Sequence, residues 1–171
     1  EQSSSRSQLV IGQKNTFRYR KVGKYTIRVC PEDPVSDILL RLLAGLIAGN
    51  KVSISIPEQM RENKTVCFLK SHFLQPVKNK FSLEFENDEE LRTKILENKI
   101  NRLAYTHPKK IPDNIYKAVA QVNVPIFRYK PLVEGRFLML EQFNEQCVTY
   151  TYHRYGNLDL KQFEKQTHQN G

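Results

Sequence analysis

The stretch LIAGNKVSISIPE, residues 46–58, decides how the rest of the chain is read. Its first half closes an apolar segment on Gly49, the residue type that most readily adopts the positive φ of a helix stop, and Asn50 follows. Its second half, KVSISI, is short and β-branched, which favours a pleated strand. Working back from Gly49, Asp33 suits an N-cap and Pro34 the first helical position. Between these ends Ile38, Leu39, Leu42, Leu43, Leu46 and Ile47 make a segment apolar on most sides, interrupted only by Asp37 and Arg41. A helix over Pro34–Ala48, buried against a sheet and feeding directly into a strand, is therefore expected.

The same alternation spreads in both directions. Upstream, Phe17 and Tyr19 alternate with Arg18 and Arg20, and Tyr25, Ile27 and Val29 alternate again after Gly23, so Asn15–Val29 reads as two strands of a hairpin. Downstream, residues 59–74 suggest a helix that Thr65, Val66 and Cys67 weaken. FSLEFE (81–86) is a strand, NDEELRTKILEN (87–98) a capped helix with acids in its first turn, and NRLAYT (101–106) a strand. Ile115, Ala118, Val119 and Val122 share one stripe of a helix over 113–122, and VPIF (124–127) is a strand. Strands separated by helices of this length predict βαβ units and a mostly parallel sheet flanked by helices, an α/β fold. The last third departs from the rhythm: 135–146 reads as a helix and CVTYTYHRY (147–155) as an extended strand that docks elsewhere. The expected organisation is a linker over 1–11, an α/β domain over 12–130, a C-terminal helix and docking strand over 131–160, and a frayed tail over 161–171.

Composition sets outer bounds. The 171 residues, 39% hydrophobic and 26% charged, suit one domain with a real core. No apolar run approaches the roughly 18 residues of a membrane span. The polar start EQSSSRSQ is unlike a signal peptide, and a first residue other than Met suggests a fragment or a processed chain. Cys30, Cys67 and Cys147 are too scattered for a disulfide framework or a zinc site, which fits a reducing cytoplasm. His72, His107 and His168 share no metal spacing. The acids Glu84, Glu86, Asp88, Glu89 and Glu90 are explained by a strand end running into a helix N-terminus. The net charge of +9 is spread along the chain, densest at RYRKVGK (18–24), with no aromatic RNA-binding signature. Composition alone leaves open a free-standing basic adaptor for nucleic acid or another acidic surface, though nucleic acid is not the expected partner.

At AGNKVSISIPE the chain resembles the aldehyde dehydrogenase superfamily. Ala48, Gly49 and Asn50 match the end of its buried helix, and Val52, Ile54 and Glu58 fit its next strand. There a Lys followed by Pro-Ser-Glu holds the adenosine ribose; here that Lys position is Ser55, which brings no charge. A second stretch, INRLAYTHPKKIPDNIYKAVAQVNVPIFR (100–128), keeps the family's strand–helix–strand rhythm. Where the family has a Gly-Ser-Thr turn around the pyrophosphate, this chain has His107, Pro108, Lys109 and Lys110 with no glycine and with prolines that lack N–H donors. Where the family's Glu-Leu-Gly-Gly supplies a general base, the chain reads RYKP (128–131). From there it runs almost at once into VEGRFLMLEQFNEQ, leaving no room for the domain of roughly a hundred residues or more that carries the thiol nucleophile. Cys147 is accordingly expected to be structural. The resemblance implies a truncated Rossmann-like fold whose cofactor positions, Ser55, His107, Pro108 and Lys109, are degenerate.

One family joins these features most closely. The phrases GQKNTFRY (12–19), VEGRFLMLEQFNEQ (133–146) and YHRYGN (152–157) resemble the C-terminal, aldehyde-dehydrogenase-like domain of long-form proline utilisation A, over about residues 12–158. The resemblance implies that the parent polypeptide oxidises proline to glutamate with FAD and then NAD. It implies a C-terminal domain without cofactor, metal or catalytic residues that packs on the aldehyde dehydrogenase domain, beside the proline dehydrogenase domain, and helps seal the cavity through which the intermediate travels. Tyr150, Tyr152, His153, Arg154, Tyr155, Gly156 and Asn157 would form the docking motif, with self-association through the same strand as a further expectation. The parent enzyme would be bacterial and cytoplasmic, or peripheral to the inner membrane.

Overall fold

The computed structural model describes residues 9–10, 13–73, 80–131 and 134–151. Their strands are β1 (Leu9–Val10), β2 (Gln13–Lys21), β3 (Lys24–Arg28), β4 (Lys51–Ile56), β5 (Phe81–Phe85), β6 (Arg102–Tyr105), β7 (Ile126–Arg128) and β8 (Phe143–Thr151). The helices are α1 (Val35–Ile47), α2 (Lys64–Phe68), α3 (Asp88–Leu96), α4 (Asp113–Gln121) and α5 (Gly135–Leu140). The chain divides into two compact units, one over Lys21–Asn144 and one built from the described parts of Glu1–Arg20 and Glu145–Gly171.

The larger unit is a doubly wound α/β sheet. Its five strands lie in the order β5-β4-β3-β6-β7, every neighbouring pair parallel. The chain starts in the middle at β3, winds outward through β4 and β5, then returns to the other side of β3 for β6 and β7. One face buries Tyr25, Ile27, Ile54 and Ile56 against Ile38 and Leu42 of α1 and Val66 of α2. The other buries Leu103 and Tyr105 against Leu91 and Ile95 of α3 and Ile115, Ala118 and Val119 of α4. Strands covered on both faces are buried along most of their length, as in KVSISI, where only Lys51 is exposed, and RLAY, where every residue is buried. At Gly45 helix α1 comes so close to the sheet that an added Cβ would lie 2.7 Å from Val52 Cγ2.

The other unit holds a three-stranded sheet of order β1-β2-β8, with β1 antiparallel to β2. Arg18 Nε donates to Gln146 Oε1 at 2.8 Å and the Thr149 hydroxyl donates to Asn15 Oδ1 at 2.7 Å.

Several local expectations are corrected. β2 and β3 are not a hairpin: Gly23, at φ +101°, releases the chain from one sheet into the other. Asp33 does not cap α1; Pro34 occupies the N-cap position without a side-chain bond, and the Asp33 carboxylate is used elsewhere. α1 turns Leu43 (41% exposed) and Ile47 (75%) outward, while Arg41 is completely buried. The helix over 59–74 breaks into a 3-10 turn, α2 and a wider π turn. α5 stops at Leu140 and β8 starts at Phe143, so EQFNEQ belongs mainly to the strand. Over Phe143–Thr151 that strand has an in-chain neighbour, β2.

Candidate functional site: the crevice at the strand carboxyl ends

In a doubly wound sheet the natural ligand site lies beyond the carboxyl ends of the strands, where the winding reverses between β3 and β6. A crevice of about 370 Å³ lies there, lined by Arg28, Cys30, Pro57, Asp88, Tyr105 and Lys110 among others. Its chemistry is set by groups that already satisfy one another.

Arg28 is the last residue of β3 and its side chain is 3% exposed. Nη1 donates to Ser55 Oγ at 2.8 Å and to the Glu86 carbonyl at 3.0 Å, and Nη2 donates to Asp88 Oδ1 at 2.6 Å. A guanidinium so buried needs a counter-charge and acceptors for its fixed fork of donors, and it finds both here. Ser55, itself buried, therefore serves an internal cation.

The N-terminus of α3, beside the crevice, is also occupied. At α3, Asn87 Oδ1 accepts from Glu90 N at 2.9 Å while Glu90 Oε2 accepts from Asn87 N at 2.8 Å, a closed capping box. Asp88, Glu89 and Glu90 place three carboxylates in that first turn, which opposes a phosphate. Ahead of α1, Asp33 accepts from Cys30 N at 2.7 Å and from the Thr106 hydroxyl, joining the ends of β3 and β6. After β6 the chain forms a 3-10 turn over Pro108–Lys110; His107, Pro108 and Lys109 are exposed, and Lys110 binds Glu32 at 2.6 Å. That hydrogen bond, with the Lys110 charge, holds the Glu32 carboxyl below its usual range.

Nothing in the crevice is activated as a nucleophile. Burial, reinforced by the charge of Asp33, pushes the Cys30 thiol up to about 11, so it stays protonated at neutral pH. Burial likewise raises the Tyr105 hydroxyl. Cys147 lies exposed on β8, with the Thr149 hydroxyl 3.8 Å away. Among the described residues no group of His, Cys, Asp and Glu is placed to hold a metal ion. Glu84 and Glu86 of the acidic run instead share Lys94; burial alone would raise the Glu84 carboxyl, but its bonds to Lys94 and Ser82 and the Lys94 charge bring it below the usual range.

Of the residues singled out from sequence, Ser55 reaches the inner wall of the site and His107, Pro108 and Lys109 sit outside it. Tyr150 is 61% exposed on β8. Tyr152, His153, Arg154, Tyr155, Gly156 and Asn157 lie outside the described residues. Arg28 is the residue that sequence reasoning missed. Its signal was present in YTIRVC, a charge within an otherwise apolar central strand, which has to be met by buried partners. Among the described residues no helix is long and apolar enough to cross a membrane.

The chain matches no described protein family and no curated protein sequence. Solved structures do share its fold. The substrate-bound state of Staphylococcus aureus AldH is 14% identical at a TM-score of 0.53, with 72% of this chain and 28% of that one covered. Lactaldehyde dehydrogenase from Escherichia coli is 16% identical at 0.57, covering 74% and 27%. A variant of Bradyrhizobium japonicum proline utilization A is 20% identical at 0.51, covering 72% and 13%. The chain thus has the fold of part of an aldehyde dehydrogenase, and it spans about a quarter or less of the length of these structures.

Proposed function

We propose that this chain is a non-catalytic, aldehyde-dehydrogenase-like C-terminal domain of a bifunctional enzyme that oxidises proline to glutamate. It packs on the aldehyde dehydrogenase domain of the same polypeptide and helps close the cavity that carries the intermediate. FAD and NAD belong to the other domains of that enzyme, and this one works without a cofactor. The observation that carries the reading is Arg28, buried and bonded to Ser55 and Asp88 in the crevice where a nucleotide would have to sit. Its charge is already matched, so an incoming phosphate would gain little attraction while meeting the acids of the α3 first turn. The YHRYGN phrase (152–157) supports a docking role through its resemblance to the terminal motif of long-form proline utilisation A.

Two measurements test this. Calorimetry of the chain with millimolar NAD is expected to give no saturable heat; a dissociation constant in the low micromolar range, about −8 kcal/mol, requires a formed site and would overturn the cofactor-free reading. In the full polypeptide, deletion of residues 152–171 is expected to leave proline oxidation intact while coupled NADH formation acquires a lag. Identical lag-free time courses at matched flavin content would rule out the sealing role.

A further inference from the structure

The least expected chemistry in the α/β unit lies away from the crevice, around two buried arginines that the function above does not use. Arg41 projects from α1 with a fully buried side chain. Its Nη1 donates to Tyr25 Oη at 3.2 Å and to Glu141 Oε2 at 3.0 Å, and its Nη2 donates to the Tyr129 carbonyl at 2.5 Å. Arg102, the first residue of β6, donates through Nη1 to the carbonyls of Glu141 and Phe143 and through Nη2 to Asn144 Oδ1 at 2.8 Å. Asn50 adds a third hold: its Nδ2 donates to the Gln142 carbonyl at 3.0 Å while its Oδ1 accepts from Gly23 N at 2.8 Å. Val22 N donates to the same Gln142 carbonyl at 3.2 Å.

Most of these bonds meet on four consecutive residues, 141–144, where α5 has ended and β8 begins. Helix α1 holds that segment through the Glu141 carboxylate, while β6, through Arg102, and the loop residues Asn50 and Val22 hold its backbone carbonyls. A carbonyl grip is indifferent to the local side chains and constrains the path of the chain itself. Burying two guanidinium groups against a single carboxylate is an expensive way to hold a segment, since an apolar core of similar volume would serve stability as well or better. What an apolar core would not supply is a directional hold on the backbone, because hydrogen bonds fix geometry where hydrophobic contacts do not.

We infer that Arg41 and Arg102 are positioning residues that anchor residues 141–144 within the α/β unit, so that the chain entering β8 is ordered before any partner domain meets it. The anchor itself stands on the contacts above; its value for docking rests on the function proposed in the preceding section. An element ordered in advance loses less conformational freedom on binding.

The test has two arms that fail separately. In the first, amide hydrogen exchange is followed across residues 141–151 in this chain for wild type, Arg102→Met and Asn144→Ala. The second variant removes one exposed partner and spares the core. Wild type in enough denaturant to match each variant's global stability is the control. Exchange at 141–151 is expected to rise at least about tenfold over that matched control, while β3, β4 and β6 follow global stability alone. A rise no larger than in the control overturns the anchor. In the second arm, the same substitutions in the full polypeptide are expected to lengthen the lag in coupled NADH formation with proline oxidation unchanged. Selective exchange without a lag would retain the anchor and overturn its docking role. Absence of a lag even after deletion of residues 152–171 would instead count against the sealing function as a whole.

Discussion

Arg28 on β3 and Ser55 on β4 are register partners in a parallel pair, and Arg28 Nη1 lies 2.8 Å from Ser55 Oγ. The buried cation of this pair sits on β3, one strand over from Ser55, and its donors are taken up by Ser55, the Glu86 carbonyl and Asp88. Arg28→Met would leave the Ser55 hydroxyl buried without its donor and Asp88 without its cation. We expect a loss of about 2–4 kcal/mol in urea denaturation, and about 1 kcal/mol for Ser55→Ala. Equal small effects for both would show that the guanidinium carries little of the local stability.

The two faces of α1 make opposite predictions for neighbouring leucines. Leu42 is fully buried and Leu43 is 41% exposed. Leu42→Asp is expected to cost about 4 kcal/mol or to prevent folding, and Leu43→Asp to stay within about 1 kcal/mol of wild type. Melting temperatures of the two variants decide whether the helix is oriented as described.

Glycine at two positions has different reasons, and alanine separates them. At Gly45 a Cβ would lie 2.7 Å from Val52 Cγ2 and 3.2 Å from Tyr25 Cδ1, so Gly45→Ala must push α1 away from the sheet. Gly49 has open space but a φ of +75°. We expect a loss of about 1–3 kcal/mol at Gly45, despite the better helix propensity of alanine, and about 1 kcal/mol at Gly49. A Gly45→Ala variant more stable than wild type would contradict the close helix–sheet approach.

The pH dependence of stability should carry a signature of Glu141. Burial raises its carboxyl above the ordinary 4.5, against the opposing influence of the Arg41 charge, the Tyr129 hydrogen bond and the Arg102 charge. The folded state therefore holds this proton more tightly than the unfolded state. The stability it contributes is fully present below the unfolded value and is lost as pH rises through the folded one. Wild type should lose stability relative to Glu141→Gln as pH increases across that window. A difference that stays flat would mean that the pairing with Arg41 offsets burial, and one that slopes the other way that it outweighs burial.

The strands of the parallel sheet were legible because each is a short apolar run bracketed by a helix with its own stop signal. KVSISI ends where its residues stop being β-branched, and Asn87 with Glu90 announces α3 by its capping box. Pairing between distant segments was not legible. Nothing local in QKNTFRYRK (13–21) tells that it lies beside residues far down the chain, and its pattern alone points to its nearest neighbour, β3. Helix orientation failed at α1 for a related reason: with apolar residues nearly all round, the pattern does not say which side faces the sheet, and Arg41 is inside because Glu141 and Tyr129 arrive there from far along the sequence. Within the candidate site, the missing glycine turn and the absent Lys could be read directly. The bond from Arg28 to Ser55 could not, because it depends on a contact between neighbouring strands.

The pairing of β2 with β8 also has a kinetic consequence. The contact between Arg18 and Gln146 joins residues 128 positions apart. Closing so long a loop in a disordered chain would cost about 4 kcal/mol of entropy beyond a length-independent constant, and a three-stranded sheet earns little with which to meet it. Once Lys21–Asn144 has folded around its own mostly sequential βαβ connections, the intervening chain is no longer a random coil. The small sheet should therefore form after the α/β unit. During synthesis β2 can pair with β1 at once, but its other edge must wait for β8 until almost the whole of the described chain has left the ribosome.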